Sequence, residues 1–427
     1  MTTTGSLIAD LELRSQIVPD REWSRDVVDA SVRLLESGRS MVRDAAGAVV
    51  VLANTPIREL SQLPQIGNSP VEFLTRRAAE RVHQTTGAAV AGLERDPFDR
   101  FLRYQLFTMN PPLHTDLRRV VTRQLMPRAL AKFADVARQV FHDILDEAAG
   151  VGVVDFNHDI AAKYTARFWC VTLGVGISRA NEIQRLMAGM NHMFLFAPTA
   201  VDAEHVRSST AGYLALVRQT VNEAWERGDN PLLTELASGL GDLDVDGLPE
   251  DIGTLVGSNF FDAFHTVALA LANATYYLLS NPAARERVTA DPKLVAAAFT
   301  EGTRLASPLT LTTRMALEDV DYEGLVIPAG TPVTMVWAAG NRDRNAFDDP
   351  HRYRLDRGPR LSTTFGGGAH ICPGRNAAKM LGEIALGVVA GPDFEVQLVG
   401  DGHEWVPDVA VRYLRELPVR VRAASAR

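Results

Sequence analysis

The chain has 427 residues, 46% of them hydrophobic and 22% charged, with a formal net charge of −8. That much apolar material excludes a disordered or fibrous polypeptide, and the acidic balance argues against a general nucleic-acid binder, which needs a basic face. Two cysteines, Cys170 and Cys372, are too few for a disulfide scaffold, and neither has the neighbours a zinc site requires.

Along the chain, Met1 to Gln16 carries no cationic stretch followed by an apolar run, so no signal peptide is expected and the protein reads as cytoplasmic. Residues 1–20 are expected to be loosely ordered. The apolar run Ala48 to Leu52 predicts a strand and is far too short to cross a bilayer, so no membrane is expected as a partner. From Val71 to Ser307 the pattern is helical. Pro249 to Ser280 predicts one helix of about 32 residues, roughly 48 Å long. It opens on Pro249, Glu250 and Asp251, stops at Asn281-Pro282, and is apolar around most of its circumference, as a helix buried through the middle of a molecule would be. After Arg304 the text changes: Thr312 to Met315, Leu325 to Ile327 and Thr331 to Trp337 predict strands. An irregular stretch from Asn341 to Thr364 follows, long enough to suggest a function of its own, then a glycine-rich turn and a helix from Asn376 to Val389. The fold class is mainly α with a small β-sheet region.

The segment that carries chemistry is Phe365-Gly366-Gly367-Gly368-Ala369-His370-Ile371-Cys372-Pro373-Gly374. Three glycines allow a tight turn and close approach to a flat ligand. The thiol that follows stands at the entrance to a helix, where amide dipoles favour a thiolate. The spacing Phe-Gly-x-Gly-x-His-x-Cys-x-Gly resembles the haem-binding loop of the cytochromes P450. The resemblance implies that Cys372 ligates the iron of a haem b (heme, iron protoporphyrin IX), that Phe365 shields the sulfur, that Gly374 belongs to the cofactor loop, and that His370 contacts a propionate.

Other segments agree with the family in order. Glu301-Gly302-Thr303-Arg304 resembles its Glu-x-x-Arg pair, and residues three apart share a helix face. In the family this pair meets an arginine from the irregular stretch, for which Arg352 in Pro350-His351-Arg352-Tyr353 is the candidate. Arg314 follows Pro308 at the family's interval, and Pro111-Pro112-Leu113-His114 to Arg118 resembles a further family helix. Arg314, His114 and Arg118 are thereby implied as propionate partners, in keeping with the need of buried carboxylates for cationic and hydrogen-bonding company. The resemblance runs from about Ser40 to Val419. It implies one catalytic domain over residues 1–427, folded as a mostly helical triangular prism around a buried haem.

The long helix departs from the family pattern. Where Ala/Gly-Gly-x-Asp/Glu-Thr is expected on the distal side of the haem, this chain has Asp262-Ala263-Phe264-His265-Thr266. The threonine is kept, His265 stands in place of the acid, and Ala263 replaces a glycine that eases a local kink. Asp262 and Thr266 are four apart and share a face. The candidate catalytic residues are therefore Thr266, His265 and Asp262, with histidine able to shuttle protons near neutral pH and Asp262 expected to point into the site, there to relay protons or hold a cationic or hydrogen-bonding group of the substrate. Pro373, directly after the cysteine, has no N–H to offer the sulfur.

Carried over by position, the substrate-contacting segments are Gly87 to Asp96, Met187 to Phe196, Leu309 to Thr312 and Arg412 to Leu414. Arg119, Arg123, Arg375 and Lys379 could dock an acidic ferredoxin, which with its reductase would supply electrons unless peroxide replaces them. The implied activity is a monooxygenase that uses O2 on a medium-sized organic substrate of secondary metabolism. An oxidative coupling enzyme, a peroxygenase and an inactive haem sensor are the alternatives.

Overall fold

The computed structural model describes residues 12–13, 27–44, 47–86, 97–194, 199–357, 361–406, 408 and 410–424. The elements that build the site are, in chain order, strands β1 (Glu12–Leu13), β2 (Met41–Asp44), β3 (Val49–Val51) and β4 (Ile66–Asn68), and helices α1 (Leu113–Gln124) and α2 (Ala134–Ala149). Strand β5 (Val153–Asp155) precedes α3 (Lys163–Thr172), α4 (Ala180–Met190), α5 (Ala200–Glu226), α6 (Ile252–Asn259), α7 (Phe261–Leu279) and α8 (Val295–Leu305). Strands β6 (Thr312–Ala316), β7 (Val320–Tyr322), β8 (Leu325–Ile327) and β9 (Pro332–Met335) follow, then α9 (Arg375–Ala390), β10 (Phe394–Leu398) and β11 (Pro418–Ala423).

The β-branched run Val49-Val50-Val51 forms the centre of a six-stranded sheet ordered β1-β2-β3-β9-β6-β4. In it β3 pairs parallel with β9, and β6 pairs antiparallel with both β9 and β4. The sheet packs its own small core, with Met41, Ile57, Leu60, Val333, Met335 and Trp337 buried. It thereby holds Arg314 on β6 directly across from Asn68 on β4.

The main core is helical. Helix α7 is buried along most of its length and packs against α3, α8 and α9. Its close approach to α8 depends on Gly302, because a Cβ there would lie 2.7 Å from Ala274 Cα. Together α6 and α7 are long and apolar enough to cross a membrane, but in the fold they are core helices with most of their surface covered.

The expected single helix over Pro249–Ser280 is instead two. Asp251 caps α6, its carboxylate accepting from the Thr254 amide at 2.7 Å, so the helix starts at Ile252. Phe260 then interrupts the run, and Ala263 N–H donates to the Phe260 carbonyl at 3.0 Å, a three-residue span. The break lies just after Gly257-Ser258-Asn259 and one turn before the position where the family's glycine was expected to place a kink. Between Asn341 and Thr364 the described residues form turns and bends with no strand or α-helix among them, so the long irregular stretch is present as read.

Candidate haem-thiolate active site

The cysteine loop is shaped by its glycines, though mostly toward protein rather than ligand. Gly366 and Gly368 adopt φ of 71° and 65°, a region that residues with a Cβ avoid. A Cβ on Gly368 would lie 1.7 Å from the Ser61 carbonyl oxygen, so the loop closes on the end of the Asn54–Leu60 helix. The turn is locked by Cys372 N–H donating to the Phe365 carbonyl at 2.8 Å. Arg118 donates to the Ile371 carbonyl, and Arg375 donates to the Cys372 carbonyl at 3.3 Å. Burial pushes the Cys372 thiol up to about 11, while the Gly374 amide, Arg118 and Arg375 pull it the other way. Pro373 offers the sulfur no hydrogen bond, and Gly374, one residue on, does. The second thiol, Cys170, is buried in α3 among apolar side chains that raise it to about 12.

Next to this loop the fold gathers positive charge. His370 Nδ1 lies 3.1 Å from His114 Nε2 and 3.0 Å from Asn68 Nδ2. Burial lowers His114 to about 4, with Arg118 and Arg314 adding to the effect. His370 falls to about 3, through burial first and then Arg314, His114 and Arg118. Even Arg314 is lowered to about 10 by burial and by Arg118. Among the described residues no carboxylate pairs with Arg118 or Arg314. Buried cations without counter-ions are costly, so this cluster fits a ligand that brings two carboxylates, as haem does, with Cys372 beside it as the iron ligand. Asn68 is a member that the sequence gave no reason to single out. Its amide also donates to the Leu106 and Met109 carbonyls, at 3.1 and 2.7 Å, and so fixes the side on which His370 is held.

The Glu301–Arg304 pair is buried and bidentate, at 2.7 and 2.8 Å. Its third member is Arg357, which donates Nε to Glu301 Oε1 at 2.9 Å. The expectation of Arg352 is therefore corrected. Its side chain is exposed, and it contributes only a carbonyl, 3.3 Å from Arg304. The main chain of the irregular stretch passes the pair, with Arg354 N–H donating to Glu301 at 3.1 Å and the Asn341 and Pro350 carbonyls accepting from Arg304 at 2.6 and 2.8 Å. Only the guanidinium five residues beyond Arg352 turns inward.

On the other side of the site, Asp262 is accessible on a helix whose other residues are mostly buried, and Cys372 is partly accessible. The Asp262 charge is felt at the sulfur. Thr266 lies on the same face as Asp262, and its hydroxyl donates to the Asp262 carbonyl at 2.5 Å, so its lone pairs are the part left for other partners. His265 is turned to the neighbouring helix, where Asn191 Nδ2 donates to its Nδ1 at 3.0 Å. Burial lowers this imidazole to about 4, so it is neutral at neutral pH. Trp169 holds the Ala263 carbonyl at 3.3 Å, completing the support of the first turn of α7.

Of the expected substrate segments, Gly87 to Asp96 lies outside the described residues. Met187 and Met190 are core side chains, and Met193 is half-buried. Residues 308–310 and 410–412 are zipped together, with Arg412 N–H donating to Pro308 and Thr310 N–H to Ala410. The expected cationic patch divides. Arg119 and Arg123 are exposed, whereas Arg375 and Lys379 are half-buried against the cysteine loop, Lys379 lying 5.9 Å from the centre of the Phe365 ring.

Comparison with known proteins agrees with this geometry. Residues 65–389 match the family model described as Cytochrome P450. The chain is 29% identical over 318 residues to the 6-deoxyerythronolide B hydroxylase of Saccharopolyspora erythraea, covering 74% of this chain and 77% of the relative. It is 27% identical over 321 residues to the mycinamicin IV hydroxylase/epoxidase of Micromonospora griseorubida, covering 74% and 79%. The solved structure of CalO2 superposes with a TM-score of 0.80 at 22% identity, over 95% of this chain and 98% of that one. The chain belongs to the cytochrome P450 family, and Cys372 is the residue placed to give its haem a thiolate ligand.

Proposed function

We propose that the whole chain acts as one catalytic unit, a cytoplasmic monooxygenase that inserts oxygen into a medium-sized, partly apolar molecule of secondary metabolism, with electrons delivered by a separate ferredoxin and its reductase. When bound, the haem supplies the redox and oxygen-activating chemistry, while the protein sets ligand, proton supply and substrate pose. The observation that carries the reading is a cysteine held by its loop at the entrance to a helix, beside a core helix whose Asp262 charge is felt at the sulfur and whose Thr266 hydroxyl keeps free lone pairs. Thr266 would position a proton donor there. The relatives' names support the substrate class, since both describe hydroxylases acting on named, elaborate natural products.

The test is turnover of a panel of macrolides and steroids under 18O2 with a ferredoxin, its reductase and NADPH. Product carrying one labelled oxygen supports insertion. Unlabelled, ring-closed or cross-linked product would instead make the chain an oxidative coupling enzyme, an outcome that the altered Asp262-to-Thr266 segment gives reason to look for. Turnover driven by peroxide without reductase would identify a peroxygenase.

A further inference from the structure

A buried helix that stops and restarts frees main-chain groups that something else must satisfy. Gly257, Ser258 and Asn259 favour a helix poorly, but that alone does not say where the freed carbonyls go. In an unbroken helix the Asp262 N–H would donate to the Ser258 carbonyl and the Ala263 N–H to that of Asn259, each four residues back. Here Ala263 N–H donates to Phe260 instead, at 3.0 Å, and Asp262 N–H has no acceptor among the described residues. The Ser258 carbonyl is taken by a side chain from far along the sequence, Gln105, whose Nε2 donates to it at 2.9 Å.

The same short segment grips the break twice more. Asn259 Nδ2 donates to the Tyr104 carbonyl at 2.8 Å, and Asn259 Oδ1 accepts from the Leu106 N–H at 3.0 Å. Phe101, on the helix just before it, packs edge-on against Phe261 with ring centres 5.2 Å apart. The segment is itself held firmly. Gln105 N–H donates to the Leu102 carbonyl at 3.0 Å, the Thr108 hydroxyl donates to the same carbonyl at 2.6 Å, and Asn68 holds the Leu106 carbonyl at 3.1 Å.

Gln105 is not there for stability. It is 1% exposed, and its Oε1 meets no donor among the described residues. A buried amide oxygen left unmet destabilises a fold, and methionine would fill the same length without that loss. What glutamine adds is a donor aimed at Ser258. With that carbonyl free, Asp262 N–H can close the ladder across Phe260, and α6 and α7 then run on as one helix. The first turn of α7, where Asp262 is accessible and Thr266 bonds its carbonyl, rotates as they do so.

We propose that Gln105 is a positioning residue for the active site: by occupying the Ser258 carbonyl it keeps the core helix broken, and the break sets how the Asp262–Thr266 turn presents its polar groups to the cofactor side. The inference rests on the reading of that turn as the distal side of the site.

The test compares the haem-loaded wild type with Gln105→Met and Gln105→Leu, which remove the donor and keep an apolar side chain of similar length. Hydrogen exchange followed by fragmentation reads the Asp262 amide. The infrared C–O stretch of the reduced carbon monoxide complex reads the polar groups that face the bound ligand. The expected result is exchange at Asp262 at least roughly fivefold slower in both variants, as one new hydrogen bond of ordinary strength gives. It is accompanied by a displaced C–O stretch and an unaltered thiolate-haem band. Unchanged exchange in both variants overturns the proposal, because the break then holds without Gln105. Slower exchange with an unmoved stretch overturns it too, since the turn would not face the ligand. Loss of the haem band in both variants makes Gln105 a folding residue and overturns it equally. The labelled-oxygen assay is independent of these readouts. Both responses without oxygen insertion remove the monooxygenase and keep the positioning role, and insertion without either response does the reverse.

Discussion

The cysteine side of the site and the helix side are built on opposite principles. Around Cys372 almost every polar group is matched: the thiol by the Gly374 amide, the loop carbonyls by Arg118 and Arg375, and Glu301 by two arginines. The apparent exception, the cluster of His114, Arg118, Arg314 and His370, is mismatched by charge in the way two propionates would correct. Around Asp262 the protein leaves a carboxylate without a described partner and keeps a threonine whose lone pairs are uncommitted. The first side fits the haem that the family implies. The second faces whatever this enzyme alone must bind, and its chemistry is correspondingly its own.

The largest expected effect lies in the buried triad. Breaking it through Glu301→Gln should cost about 3–5 kcal/mol, since buried guanidinium charges lose their counter-ion, and Arg357→Ala about 1.5–3 kcal/mol, since Glu301 keeps Arg304 and loses one charge-assisted hydrogen bond. The exposed side chain of Arg352 should cost less than about 0.5 kcal/mol when truncated to alanine. Denaturant unfolding of the three variants measures this, and an Arg352→Ala loss as large as that of Arg357→Ala would break the assignment.

A smaller effect is expected at the charged cluster. Arg314→Ala removes a charge-assisted contact worth about 1.5–3 kcal/mol, so haem transfer to apomyoglobin should accelerate roughly 10- to 150-fold. An unchanged transfer rate would show that Arg314 does not hold the cofactor.

The helix side can be separated from the cysteine side by pH. Asp262 is raised by burial from 3.8 to about 7, so the stability it contributes is full below pH 4 and is lost as pH climbs through 7. Asp262→Asn should therefore melt a few degrees above the wild type at pH 8 and level with it at pH 4. His265 is lowered by burial from 6.5 to about 4, so its contribution is present above pH 6.5 and lost as pH falls through 4. His265→Gln should flatten that acid-side decline. Thermal melts across this range test both signs at once.

The smallest effect belongs to the surface. Arg123→Ala should slow reduction by a ferredoxin only a few-fold and weaken its salt dependence. Because Arg375 and Lys379 are tucked against the cysteine loop, their loss should alter the haem spectrum before it alters docking.

What the sequence disclosed follows the same division. The cofactor residues were legible because a flat, doubly acidic ligand with one axial position demands fixed spacings, and Phe365 to Gly374 carries them. Arg352 was preferred over Arg357 because three arginines lie within six residues of a stretch without periodicity, and only the folded backbone shows which guanidinium turns inward. Asn68 acts through tertiary contacts to Leu106, Met109 and His370 that leave no local pattern. The break at Phe260 had a signal, Gly257-Ser258-Asn259, that the continuous apolar run on either side obscured. That Asp262 and Thr266 share a helix face was readable from their spacing; that no described hydrogen-bond donor reaches the Asp262 carboxylate was not, because partners are a property of the packing.

The central claim is that Cys372 binds haem iron as a thiolate. The carbon monoxide difference spectrum of the dithionite-reduced protein tests it most directly. The account predicts the red-shifted Soret band of thiolate-ligated haem, absent from Cys372→Ala. A band at the shorter wavelength of a neutral ligand in the wild type, or a folded protein that takes up no haem, would contradict it.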